Sequence, residues 1–190
     1  LPVAEPTPGD RSPRRVCAID GSPDGGGRTA AAVAAIAAGA EGLEFTPITL
    51  ATQSVEEAIR AIARSEAVIF GTPVYRASMA TPTKALLDNL PRGKWGETED
   101  PLRGKAVAIA ACGATDHHFL ALNDLRSVLA GFFAAHVVPP GLYVPNNGFD
   151  DQKQLTGEFS ELARQQGLAL VELVDALAGS RVLAELKPQV

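Results

Sequence analysis

The densest cluster of chemistry-bearing residues in this 190-residue chain is Asp20-Gly21-Ser22-Pro23-Asp24-Gly25-Gly26-Gly27-Arg28-Thr29. Gly25 to Gly27 let backbone N–H groups come close to an anion. Ser22 and Thr29 offer hydroxyls, and Arg28 offers a planar fork of donors. Short apolar residues lead into the stretch, and an Ala-rich run over 30–38 follows it with helical character. A helix starting there points the positive end of its dipole at the same place. Strand, glycine-dense loop and helix in that order form a local anion site, with phosphate as the natural occupant.

The spacing separates this loop from two common phosphate loops. Glycines at 21, 25, 26 and 27 do not give Gly-x-Gly-x-x-Gly, so dinucleotide binding of that kind is disfavoured. Ser22 to Thr29 has the length of a Walker A loop, but Ser22 replaces its first Gly and Arg28 its Lys. The third strand ends in Gly71-Thr72-Pro73, with no acidic metal ligand. The plain alternative is a flexible connector, for which three consecutive glycines carry a needless entropic cost.

Composition narrows the classes. Apolar residues make up 46% and charged residues 21%, which suits one well-buried globular domain. A net charge of −5 argues against general affinity for nucleic acid or an anionic membrane surface. No apolar run approaches the roughly 20 residues of a membrane span, and no apolar core of signal-peptide type opens the chain. Cys17 and Cys112 sit in apolar runs without metal-type spacing, which implies reduced buried thiols, no metal site and a cytoplasmic protein.

The elements that must position the loop alternate. Pro2, Pro6, Pro8 and Pro13 mark residues 1–13 as a flexible arm, ahead of one domain over 14–180 and a tail over 181–190. Strands are expected over 15–20, 43–50, 67–70, 105–112 and 136–144. The second contains Pro47 and suits an edge; the fifth is broken by Pro139-Pro140. Helices are expected over 28–39, from Val55 behind a Ser54/Glu57 capping box, from Thr81-Pro82 with Thr81 as cap, over 118–133 with Asp116 as cap, and over 155–178. Residues 91–104, with Trp95, form a long surface loop. Strictly alternating strands and helices imply an α/β fold, a five-stranded parallel sheet of order 2-1-3-4-5 with helices on both faces. Ligands of such sheets sit beyond the carboxyl ends of the strands, here at loops 21–28, 71–80 and 112–117.

Three stretches resemble the NAD(P)H-dependent FMN reductases of the flavodoxin-like fold. Gly21-Ser22-Pro23 with Arg28-Thr29 is similar to that family's first loop. Gly71-Thr72-Pro73-Val74-Tyr75-Arg76-Ala77-Ser78-Met79, followed by Lys84 to Asp88, is similar to its Thr-Pro-x-Tyr-x-x-Ser segment and is the most specific of the three. Cys112-Gly113-Ala114-Thr115 with His118 stands where the family commonly has Thr-Gly-Gly-Ser. The resemblance covers roughly residues 15–145.

It implies FMN as cofactor, NADPH or NADH as hydride donor, and hydride transfer to flavin N5 followed by electron delivery to an acceptor. It implies no catalytic side chain, because the flavin carries the chemistry. Ser22, Arg28 and Thr29 would hold the phosphate. Asp24 and Gly27 replace the family's Arg and Ser at phosphate-loop positions and leave more to backbone N–H groups. Pro73, Val74, Tyr75 and Arg76 would run along the flavin ring, and Gly113, Ala114 and Thr115 would present N–H groups to its pyrimidine side, beside Cys112. Tyr75 either covers the ring or packs at an interface; Arg76 binds the nicotinamide cofactor's phosphates or pairs across a dimer; His118 lies near the ring or bonds nearby backbone. The resemblance further implies a homodimer or homotetramer through the helix after Tyr75, and a downstream flavin-dependent monooxygenase as one partner. Alternatives are a prosthetic-FMN oxidoreductase acting on quinones, azo compounds or a biosynthetic intermediate, and a flavodoxin-type electron carrier.

Overall fold

A computed structural model of the chain describes residues 14–188; the expected arm over 1–13 lies outside the described residues. Strands β1 (Arg15–Asp20), β3 (Ala67–Tyr75) and β5 (Ala106–Gly113) are apolar almost throughout and buried on both faces. They pair in parallel with β2 (Glu44–Thr49) on one side and with β6 (His136–Val137) and β7 (Leu142–Pro145) on the other. The sheet order is β2-β1-β3-β5-β6, with β7 continuing along the β5 edge.

This is the expected 2-1-3-4-5 order, with two refinements. Pro139-Pro140 splits the fifth strand into β6 and β7, as a residue without an N–H must. A short antiparallel strand, β4 (Ser78–Met79), folds back on the end of β3. Tyr75 pairs with Ser78, so Arg76 and Ala77 form a two-residue turn, and both are left-handed, with φ of 53° and 63°. No Asn or Gly announces that turn, which is why the sequence pattern does not reveal it.

Helices cover both faces. On one, α1 (Arg28–Gly39) and α5 (Gly157–Ala178) pack over Val16, Ala18, Ile69 and Ala108. They approach so closely that a Cβ on Gly167 would lie 2.3 Å from the Ile36 carbonyl oxygen. On the other, α2 (Val55–Ala63), α3 (Thr81–Asn89) and α4 (Ala121–Ser127) pack over Cys17, Ile19, Phe70 and Ile109. The Ser54 capping box forms with both of its hydrogen bonds. Beyond α5, Arg181–Ala184 form a short helix, α6, against Gly104.

Three local expectations are corrected. Thr81 is not the cap of α3: Ala80 is, and its N–H is held by the Thr72 hydroxyl at 3.0 Å. That bond fixes Ala80 as the last extended residue and draws Thr81 into the first turn. Asp116 does not cap α4; it begins a separate 3-10 turn, Asp116–His118, whose cap position is Thr115. The helix expected over 118–133 starts only at Ala121 and widens into a π turn over Val128–Phe132.

Candidate functional site

The loops after β1, β3 and β5 meet at the carboxyl end of the sheet around a cleft of about 440 Å³. That volume lies within the range of about 300–1,000 Å³ usual for cofactor pockets. Ser22, Arg28 and Thr29 form one end of it. Pro73, Val74 and Tyr75 form one wall, and Cys112, Gly113 and Ala114 the other. Asn146, beside Arg28, and Lys153 come from the segment after β7 and complete the lining. Asp24, Gly27, Arg76, Thr115 and His118 do not line the cleft. Asp24 is exposed in the first loop and Arg76 on the hairpin turn; Thr115 and His118 follow Ala114 in the chain, with the Thr115 hydroxyl 3.5 Å from the His118 ring nitrogen.

The first loop is organised from below. Asp20, at the end of β1, is 4% exposed, and its carboxylate accepts the N–H of Ser22 at 3.0 Å and of Gly26 at 3.1 Å. Gly25 and Gly26 both take positive φ, 66° and 64°, to wrap the chain around that carboxylate. Above the loop, Arg28 donates to the Asn146 side-chain oxygen at 2.8 Å and lies 5.6 Å from the Phe149 ring centroid. The guanidinium is therefore aimed rather than free to wander.

The Tyr75 wall is held by the β3–β4 hairpin. The Thr72 hydroxyl bonds its base, and the Ser78 hydroxyl donates to Asp124 of α4 at 2.8 Å. Tyr75 is exposed, as are Phe119 and Leu120.

The opposite wall depends on a contact that the sequence does not display. The Tyr143 hydroxyl donates to the Thr115 carbonyl at 2.5 Å. A Cβ on Gly113 would lie 2.1 Å from that hydroxyl, so any larger residue there must displace the Tyr143 ring. Burial first, then the Asp116 carboxylate, push the Tyr143 phenol up, which keeps it a donor. Cys112 is pushed up to about 12 by burial, against the Thr29 hydroxyl, with Asp20 adding to the rise and Arg28 opposing it. Its thiol is inert at neutral pH.

Trp95 stands apart from the cleft. It is exposed, and the Arg92 guanidinium lies between its ring at 4.4 Å and that of Phe132 at 3.8 Å.

Sequence comparison matches residues 14–150 to the model of the family described as NADPH-dependent FMN reductase. The chain belongs to that family. An NADH-dependent FMN reductase of Pseudomonas putida is 35% identical over 92 residues, 48% of this chain and 46% of that protein. The chain thus spans about half the length of the curated relatives it matches. Among solved structures, an NADH:FMN oxidoreductase in its apo form superposes with a TM-score of 0.68 at 22% identity, over 91% of this chain and 95% of that one. An archaeal flavodoxin superposes with a TM-score of 0.62 at 16% identity, over 85% and 99%. The fold is flavodoxin-like. The FMN reductase motifs quoted above fall on the three loops of the cleft, whereas Asp20, Asn146, Lys153 and Tyr143 fall outside them. Only Asp20, an acid closing an apolar strand before a glycine loop, carried a signal that could have been read.

The cleft fits FMN on its own residues. Two cations and two hydroxyls line it, as a phosphate requires. The walls beyond are apolar or backbone-rich, as a flat ring requires. Among the described residues no cluster of metal-ligating side chains occurs, and no helix is long and apolar enough to cross a membrane.

Proposed function

We propose that this chain is an NAD(P)H-dependent flavin oxidoreductase that binds FMN in the cleft between the loops after β1, β3 and β5. The observation that carries the reading is the cleft's mixed lining: Arg28, Lys153 and two hydroxyls share it with Pro73, Val74, Gly113 and Ala114. FMN, when bound, supplies the redox chemistry, taking a hydride at N5 from the nicotinamide and passing electrons to an acceptor.

The chain's own residues bind and orient. Arg28, fixed by Asn146, and Lys153 neutralise the phosphate; Ser22 and Thr29 add hydroxyl contacts. Pro73 and Val74 exclude water from one face of the ring. Gly113 and Ala114 bring backbone close to its edge, where N–H groups stabilise negative charge. Tyr75, Phe119 and Leu120, exposed apolar side chains on the segments that follow β3 and β5, support pairing with a second copy. Leu86, Leu87 and Leu90 of the α3 region do not contribute to such a contact, since they are buried in the chain's own core. Cytoplasmic location and delivery of reduced flavin to a monooxygenase belong to the same reading.

The test is steady-state oxidation of NADPH and of NADH with and without added FMN. Stimulation by free FMN supports a reductase that uses flavin as substrate. A yellow protein that releases FMN on heating, and reduces quinones without added FMN, indicates a prosthetic cofactor. A yellow protein that oxidises neither nucleotide is an electron carrier. A colourless protein that binds no added FMN refutes the proposal.

A further inference from the structure

Asp20 is a buried ionisable group that this mechanism leaves unused. It ends β1 directly beneath the loop read as the phosphate loop, and both of its oxygens are engaged there. The N–H groups it takes, of Ser22 and Gly26, are the kind a phosphate dianion takes in other loops of this shape. The left-handed pair Gly25 and Gly26 is accounted for by this internal contact, without any ligand. A Cβ on Gly27 would meet open space, and its φ is not left-handed, so nothing in the loop's own geometry requires that glycine.

We propose that Asp20 is an internal anion that competes with the FMN phosphate for this loop and so sets how strongly the cleft prefers FMN to an unphosphorylated flavin. The inference rests on the FMN reading of the cleft. A carboxylate has the sign of the phosphate, and it withdraws two donors from the phosphate's reach. The Ser22 and Thr29 hydroxyls and the first turn of α1 remain, but the charges left to supply the attraction are Arg28 and Lys153, and both are solvent-exposed, where attraction is screened. The flavin is then held largely by its ring, and FMN exchanges with solvent. Asp20 is a specificity-determining residue, acting through charge and through occupancy of the loop's amides.

The experiment titrates the apoprotein with FMN and, separately, with riboflavin, following quenching of flavin fluorescence. The wild-type preference for FMN over riboflavin is expected to be about tenfold or less; a preference above about a thousandfold overturns the proposal by itself. Asp20→Asn removes the charge and, by turning one oxygen into an N–H donor, releases one loop amide. It is expected to tighten FMN about tenfold or more while leaving riboflavin within about twofold. FMN unchanged or weakened, or both flavins shifted together, overturns it, the latter meaning a merely structural role. If circular dichroism shows Asp20→Asn unfolded, Asp20→Ser carries the same comparison, and the wild-type ratio stands regardless. A wild type that binds neither flavin ends the FMN reading and this inference with it; flavin binding without the Asp20 effect ends this inference alone.

Discussion

Replacing Gly113 with alanine should break the β5 wall of the cleft, and the structure says by how much. The new Cβ would lie 2.1 Å from the Tyr143 hydroxyl, 3.0 Å from Cζ and 3.2 Å from Cε2. The ring must retreat, and its hydroxyl then leaves the Thr115 carbonyl, now 2.5 Å away. Overpacking of this kind costs about 1–3 kcal/mol and the lost hydrogen bond about 1 kcal/mol, so Gly113→Ala should destabilise by about 2–4 kcal/mol. Tyr143→Phe removes only the bond, at about 1 kcal/mol. With phenylalanine at 143 the worst obstruction has gone, so the double variant should be less damaged than the two singles predict, by about 1–2 kcal/mol. Urea denaturation of the four proteins measures the cycle. Thermal melting should agree, at about 2–4 °C per kcal/mol for a domain of this size. Costs that add within about 0.5 kcal/mol, or a neutral Gly113→Ala, would refute the contact.

Arg28→Ala should weaken FMN by about threefold to tenfold, removing most of its advantage over riboflavin, with little effect on riboflavin itself, while Asn146→Ala, which only frees the guanidinium, should cost less; fluorescence titration of both compares them. Cys17 and Cys112, each pushed up to about 12 chiefly by burial, should resist iodoacetamide at pH 8 in the native protein and react after denaturation, as mass spectrometry will read. Burial pulls Lys105 from 10.5 down to about 8, against the upward pull of Glu66 and Cys17. Between those values Lys105 makes the unfolded chain bind more protons than the native one, so its own contribution to stability rises with pH from about 8, until the two cysteines, which lose their protons on unfolding from about pH 9, pull the other way. Lys105→Met should remove the rise between about pH 8 and 9 in denaturation curves, with no change in slope below pH 7.

The strands were legible because burial on both faces leaves runs such as Ala67-Val68-Ile69-Phe70 with no polar interruption. The Ser54/Glu57 box was legible because its chemistry is local. What escaped was non-local or lacked a turn residue. Thr72, eight positions away, decides where α3 starts. The β3–β4 hairpin turns on Arg76 and Ala77, neither of which advertises a left-handed backbone. Nine of the fourteen residues expected at the site do line one cleft, because strand-end loops converge by topology. Asn146 and Lys153 reach it from more than a hundred residues beyond the first loop, with no motif to mark them.

The prolines of the two outer strands have a consequence for assembly. Pro47 sits within β2 while the six-residue ladder to β1 stays in register, so its missing donor faces the open edge. At the opposite edge Pro139-Pro140 interrupts the strand between β6 and β7. Neither border offers an unbroken row of donors and acceptors, and a further strand, whether from a second copy or from a misfolded neighbour, finds no continuous template. Association must then be made by side chains, across the helical faces or the rim of the cleft. Sheets of two copies will not fuse end to end, and crowding this protein should yield discrete oligomers rather than fibres.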